Sequence, residues 1–194
     1  MSSEKQWVAS LLDSLREGLG EAAKEGGSIR VESGHRLSYA YEVLAYGPDG
    51  EADPRSAGYE TDILISDVRA DATWTPRVVI ECKTGSVTTH DALTYSAKAS
   101  THKHVHPYLR YGILIGNYGE ALPARLVRHG AYFDFMTVWS SEGGSALEWR
   151  SLLDVLREEI AASRTLQDVL TDRSWSKKKY RLLHRPLRFQ QSGE

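Results

Sequence analysis

The sequence predicts an α/β (α+β) domain with a mixed central sheet flanked by helices. Three observations predict it. Short runs rich in Val, Ile and Tyr alternate with stretches whose apolar residues recur at helical spacing. The segments follow the order helix, three strands, helix, strand, helix, strand, helix. No repeat or low-complexity tract interrupts them, and 194 residues suffice for one domain with a real core.

Each element has a local reason. Ser3 followed by Gln6 suits a capping box, and Val8, Leu11, Leu12, Leu15 and Leu19 form a helical stripe expected to stop near Gly26-Gly27. Residues 36–47, "RLSYAYEVLAYG", read as a strand, and 47–58, "GPDGEADPRSAG", as a turn-rich loop or hairpin tip. "YETDILISDV" (59–68) and "RVVIECKTG" (77–85) are the second and third strands. Residues 88–105 read as a helix ending before Pro107, and the fully apolar "YGILIGN" (111–117) as a buried strand. A short helix over 123–130 has Pro in its first turn and Gly after its end. Residues 132–140 read as a strand and 146–166 as an amphipathic helix. The apolar stripe of that last helix suits packing on its own domain or a dimer interface equally. Residues 1–145 are thus expected to form the core, with the helix and basic extension of 146–194 packed on the same domain.

Composition excludes several classes. The N-terminus has no cationic stretch followed by an apolar one, so no secretory signal is expected. No apolar run approaches the ~18 residues of a membrane span. The single cysteine, Cys82, cannot make an internal disulfide or a Cys-rich zinc site and reads as a small buried hydrophobe. A cytoplasmic protein without a membrane partner is the expectation. The net charge of −2 hides a polarity. Residues 1–100 hold 10 Lys/Arg against 16 Asp/Glu, and residues 101–194 hold 14 against 10. Most of the basic excess lies in 173–189, where seven Lys/Arg, including Lys177, Lys178 and Lys179, occur with no acid and with Trp175, Tyr180 and Phe189 among them. Such a segment suits a docked or nucleic-acid-contacting element.

The chemistry-bearing cluster lies on two strands. Alternation puts Glu60, Asp62 and Leu64 on one face of 59–68, and Val79, Glu81 and Lys83 on one face of 77–85. If these strands are neighbours, Asp62, Glu81 and Lys83 converge at one end of the sheet. Two carboxylates with an ammonium suit a divalent cation and an anionic substrate; a salt-bridged sheet rim is the bland alternative. Acid-x-Lys alone carries little information, since composition predicts about one occurrence by chance and the chain has one. Its strand-end context gives it weight. His102, His104 and His106 at alternate positions suit either a metal or, more simply, a solvated or phosphate-facing segment, to which Lys98, Lys103 and Arg110 would add.

The succession "YETDILI", "RVVIECKTG", helix, "YGILIGN" resembles the core of the PD-(D/E)XK nuclease superfamily, which includes many type II restriction endonucleases. The resemblance covers roughly residues 5–140 and implies a restriction-endonuclease-like αβββαβ core. It implies catalytic roles for Asp62, Glu81 and Lys83, with Asp62, Glu81 and the backbone carbonyl of Cys82 as metal ligands and Lys83 orienting or activating the water. Thr61 stands where the family's name-giving proline would be. The family often adds an acid from the first helix or strand, for which Glu17, Glu21, Glu25, Glu42 and Glu60 are all open. Asp91 and Tyr95 have the Gln-x-x-x-Tyr spacing of some relatives, with Asp for Gln. On this resemblance, Tyr95, Lys98, Lys103 and Lys177–Lys179 are the expected DNA-binding residues. The implied activity is a Mg²⁺-dependent DNA endonuclease (Mn²⁺ substituting) of restriction type, and double-strand cleavage by so small a chain implies a homodimer. The alternatives are a structure-specific repair or junction nuclease, and a non-cleaving DNA-binding or assembly subunit.

Overall fold

Helix α1 (Glu4–Leu19) begins as the sequence predicts: Ser3 Oγ accepts from the Gln6 amide, and the Gln6 side chain accepts from the Ser3 amide. It ends at Leu19 in a 3-10 turn over Gly20–Ala22, short of Gly26-Gly27. The computed structural model describes residues 3–24, 26–172, 174, 181–183 and 187–189. Lys177, Lys178, Lys179 and Glu25 lie outside the described residues.

Seven strands follow: β1 (Ser28–Glu32), β2 (His35–Tyr46), β3 (Ala52–Thr61), β4 (Ile63–Val68), β5 (Trp74–Thr84), β6 (Arg110–Gly116) and β7 (Phe135–Val138). Five form one mixed sheet in the order β1-β4-β5-β6-β7. The β1/β4 and β4/β5 pairs are antiparallel, and β5/β6 and β6/β7 are parallel. The parallel pairs are joined through α2 (Thr89–Val105) and α3 (Ala124–His129), as parallel neighbours require a crossover. Helix α4 (Ala146–Thr171) is the last regular element among the described residues. No helix among the described residues is long and apolar enough to cross a membrane.

The sheet separates two apolar layers. On one face α1 and α4 pack Trp7, Leu11, Leu15, Leu152, Leu156 and Ile160 against Ile63, Val78, Ile80 and Cys82. The stripe of α4 is therefore buried on its own domain. On the other face α2 and α3 cover Leu64, Val79, Tyr111, Ile113 and Ile115, with Leu37 from β2. Strands β5 and β6 lie between both layers, and every residue of β6 is buried.

Three expectations are corrected. The expected first strand at 36–47 is one arm of a separate two-stranded ribbon, β2-β3, and the first strand of the central sheet is the short β1. The expected loop at 47–58 is mostly β3, with the turn confined to residues 47–51; Pro54 is tolerated because both strands of a ribbon are edges. The expected single strand at 59–68 is two strands. The ribbon ladder ends at His35 opposite Thr61, and the central ladder begins at Ile63 opposite Ile80. Asp62 is the one residue between them.

Candidate active site

The carboxyl ends of β5 and β6 are where open α/β sheets most often take ligands. Strand β5 delivers Glu81 and Lys83 there, then turns away at Gly85, whose φ of +71° favours glycine and whose amide donates to the Gly116 carbonyl at 2.8 Å. Asp62 arrives at the same end from the start of β4. Its Oδ2 accepts from the Cys82 amide at 2.8 Å, which fixes the carboxylate beside the Glu81–Lys83 segment. In antiparallel pairs a residue turns its N–H and C=O toward the same neighbour. The Cys82 carbonyl therefore faces the side of Asp62, while its side chain is wholly buried in the opposite layer.

Glu81 is 1% exposed and heavily engaged. Its Oε1 receives the Lys98 ammonium at 2.8 Å and the Tyr111 hydroxyl at 2.5 Å. Burial pushes the Glu81 carboxyl above the usual carboxylate range; Lys98 pulls it down and the Asp62 charge adds to the rise. Burial, reinforced by Glu81, likewise raises the Tyr111 phenol far above its ordinary value.

A fourth group joins from α1. Glu4 Oε2 accepts from the Thr84 amide at 3.2 Å and lies 3.9 Å from Lys83 Nζ. The cause is packing one turn further on. Trp7, on the same helix face, is buried, donates from Nε1 to the Glu142 carbonyl at 2.6 Å and lies against Gly116. A β-carbon at Gly116 would stand 2.4 Å from the indole, so only glycine lets the helix start approach the end of β6. Among the described residues Glu4 is thus the α1 acid that lies beside Lys83. Glu17 and Glu21 are exposed elsewhere, Glu42 lies on the ribbon, and the exposed Glu60 contributes only a backbone carbonyl, to Lys98 at 2.7 Å. The signal for Glu4 was its place three and four residues before Trp7 and Val8, at the head of the buried stripe.

Tyr95 on α2 is half-buried beside the cluster. Burial first, then the Glu4, Glu81 and Asp62 charges, push its phenol up to about 12. Asp91 is absorbed in capping α2, its Oδ2 accepting from the Thr88 amide and hydroxyl. The expected phosphate-facing cations are otherwise occupied. Lys98 points inward onto Glu81; Lys103 pairs with Asp134 at 2.7 Å; Arg110 pairs with Asp134 at 2.9 Å and with Glu159. The histidines lie in the last turn of α2 and just after it, not on a strand, so they do not share a face. His102 is buried, with Nε2 3.1 Å from the Leu37 carbonyl and its ring stacked on Tyr111. It ties the ribbon to the domain.

The sequence matches no model of a known protein family and no curated protein. What the site can do therefore follows from its own groups. Among the described residues no three His, Cys, Asp or Glu side chains stand close enough together to hold a metal ion. Asp62, Glu81, Glu4 and the Cys82 carbonyl nonetheless offer hard oxygen donors at one strand end, which is the donor chemistry of Mg²⁺ or Mn²⁺.

Proposed function

We propose that the chain is a metal-dependent DNA endonuclease of the PD-(D/E)XK superfamily, hydrolysing phosphodiester bonds in double-stranded DNA as a type II restriction enzyme does. The observation that carries this reading is the convergence of Asp62, Glu81, Lys83 and Glu4 at one end of the sheet. With the β2-β3 ribbon treated as an insertion, the elements from α1 to β6 also run α, β, β, β, α, β, in keeping with a restriction-endonuclease-like core.

Asp62, Glu81 and the Cys82 carbonyl would hold Mg²⁺ or Mn²⁺, with Glu4 as the additional acid. When bound, the cation supplies Lewis acidity to a phosphate oxygen and lowers the pKa of water. The protein's own groups do the rest. Lys83, part-exposed with only a loose contact to Glu4, is placed to orient the attacking water and to balance charge developing on the phosphate. Tyr95 stays protonated at neutral pH and can donate a hydrogen bond to a phosphate oxygen. Lys98 and Tyr111 hold the buried Glu81 carboxylate in place through Oε1.

A second reading is a DNA-binding or assembly subunit that does not cut. It is favoured by the Lys98 and Tyr111 contacts, which already occupy Glu81 Oε1. Incubation of plasmid DNA with Mg²⁺ or Mn²⁺ separates the two. The nuclease reading expects metal-dependent cleavage, abolished by Asp62→Ala and by Lys83→Ala with DNA binding retained. Undiminished cutting by both variants overturns the site, and no product under any condition favours the second reading. Sequencing the product ends tells a restriction enzyme from a junction or repair nuclease, whose cuts follow DNA shape.

A further inference from the structure

Beyond its base the β2-β3 ribbon stands clear of the domain, and residues 41–56 are all exposed. A two-stranded ribbon is marginal on its own in water. This one carries Tyr41, Val43, Leu44 and Tyr46 at 60%, 47%, 62% and 71% exposure. Across the ladder Tyr41 opposes Ser56, Val43 opposes Pro54 and Tyr46 opposes Ala52. Cross-strand partners share a face, and 52, 54 and 56 alternate by two. Tyr41, Val43 and Tyr46 therefore form one stripe. They do so because of a bulge: the ladder shifts between Val43 and Ala45, leaving Leu44 as an extra residue. Without it Tyr46 would fall on the other face, beside Glu42 opposite Arg55 and Ala45 opposite Asp53. The stripe is also on the face opposite to Leu37, through which the ribbon base enters the core.

Charge runs in order along the ribbon. Arg36 lies at the base; although Glu60 opposes it, its guanidinium is turned along the ribbon onto the Gly58 carbonyl at 2.8 Å. Asp49 lies in the turn at the tip, whereas Glu51 falls on the other face with Asp53 and Arg55. Arg36 is seven residues before Val43 and Asp49 six after it. A surface that reads cation, apolar, acid is complementary to its own reverse, which is what a twofold interface requires. Nucleic acid is disfavoured here, because residues 41–56 hold Glu42, Asp49, Glu51 and Asp53 against Arg55 alone.

We propose that the ribbon is a homodimerisation arm. Two copies pack their Tyr41–Val43–Tyr46 stripes face to face and antiparallel about a twofold axis, with each Arg36 meeting Asp49 of the partner subunit. This holds whatever reaction the site performs. A tyrosine contributes on the order of 150–250 Å², so two exposed tyrosines with Val43 and Pro54 give roughly 400 Å² per arm. The pair then falls below the ~1,200 Å² of a stable interface, and the dimer is concentration-dependent.

Sedimentation from micromolar to millimolar protein tests this, with the far-ultraviolet spectrum and unfolding midpoint as fold controls. The wild type is expected to be a reversible dimer. Val43→Asp weakens it about tenfold or more, as does the milder Tyr46→Ser should Val43→Asp fail to fold. Arg36→Glu and Asp49→Arg each weaken association, and the double variant recovers it, because an isologous interface holds both changes in facing positions. A monomeric wild type overturns the proposal, as does undiminished association of both stripe variants or no recovery in the double variant. Stripe variants that stay dimeric but lose DNA binding would instead assign the arm to nucleic acid.

Discussion

Replacing Lys98 with Met removes the ammonium from a carboxylate that is 1% exposed. Breaking one partner out of a buried pair costs about 3–5 kcal/mol when the remaining charge stays ionised. Glu81 has an escape, which is to take up a proton. Burial already sets its carboxyl above the ordinary range, and Lys98 is the largest influence pulling it down. In the variant the folded-state pKa therefore rises further above that of the unfolded chain. The folded state then binds more protons than the unfolded one at pH values between the two, so its stability falls as pH rises through that window. Each pH unit between the unfolded and the folded pKa costs about 1.4 kcal/mol, and the loss is complete once pH has passed the folded value. Denaturant unfolding of Lys98→Met should show a small loss near the unfolded carboxylate pKa and a loss of several kcal/mol at mildly alkaline pH. The wild type should slope far less. An equal loss at both ends, or none, refutes the pairing as the source of Glu81's stability.

Further expectations follow from neighbouring contacts. Under the proposed function, Lys98→Met should bind Mn²⁺ more tightly than wild type in calorimetry, because a competing cation has left Glu81. Glu4→Gln should weaken Mn²⁺ binding and cleavage while shifting the unfolding midpoint by less than about 1 kcal/mol, since its contacts are part-exposed. Gly116→Ala must displace the Trp7 indole and should destabilise by about 1–3 kcal/mol in denaturant titration. Burial lowers the His102 pKa from 6.5 to about 4, so the unfolded chain takes up the proton first. Its contribution is complete above the unfolded value and is lost as pH falls toward 4, by at most about 3 kcal/mol. His102→Gln should flatten that slope.

Glu81 and Lys83 were legible because alternation is a local rule that holds wherever a strand holds; Asp62 was reached by the same rule although it lies between two ladders. The partners of these residues were not. Lys98 reads as a surface cation on a helix, and only the approach of α2 over β5 turns it inward. Glu4 was hidden by a stripe counted from Val8, when Trp7 begins it. Strand β3, "ADPRSAGYET", has little strand propensity of its own and is held by its ladder with β2, so it read as a loop. "YETDILISDV" is continuous as a pattern, yet its two halves join different sheets, and no periodicity records where a chain changes neighbours.

Asp62 is the single residue that joins β3 to β4, as Ser33 and Gly34 join β1 to β2 on the other side of the ribbon base. On the ribbon side Thr61 is clamped, its carbonyl accepting from Gly34 and its hydroxyl donating to the His35 carbonyl. On the sheet side Ile63 is locked into β4. A site carboxylate therefore sits at the joint between ribbon and sheet. If the ribbon pairs as proposed, whatever shifts its base would be passed to Asp62, so assembly and site share one joint.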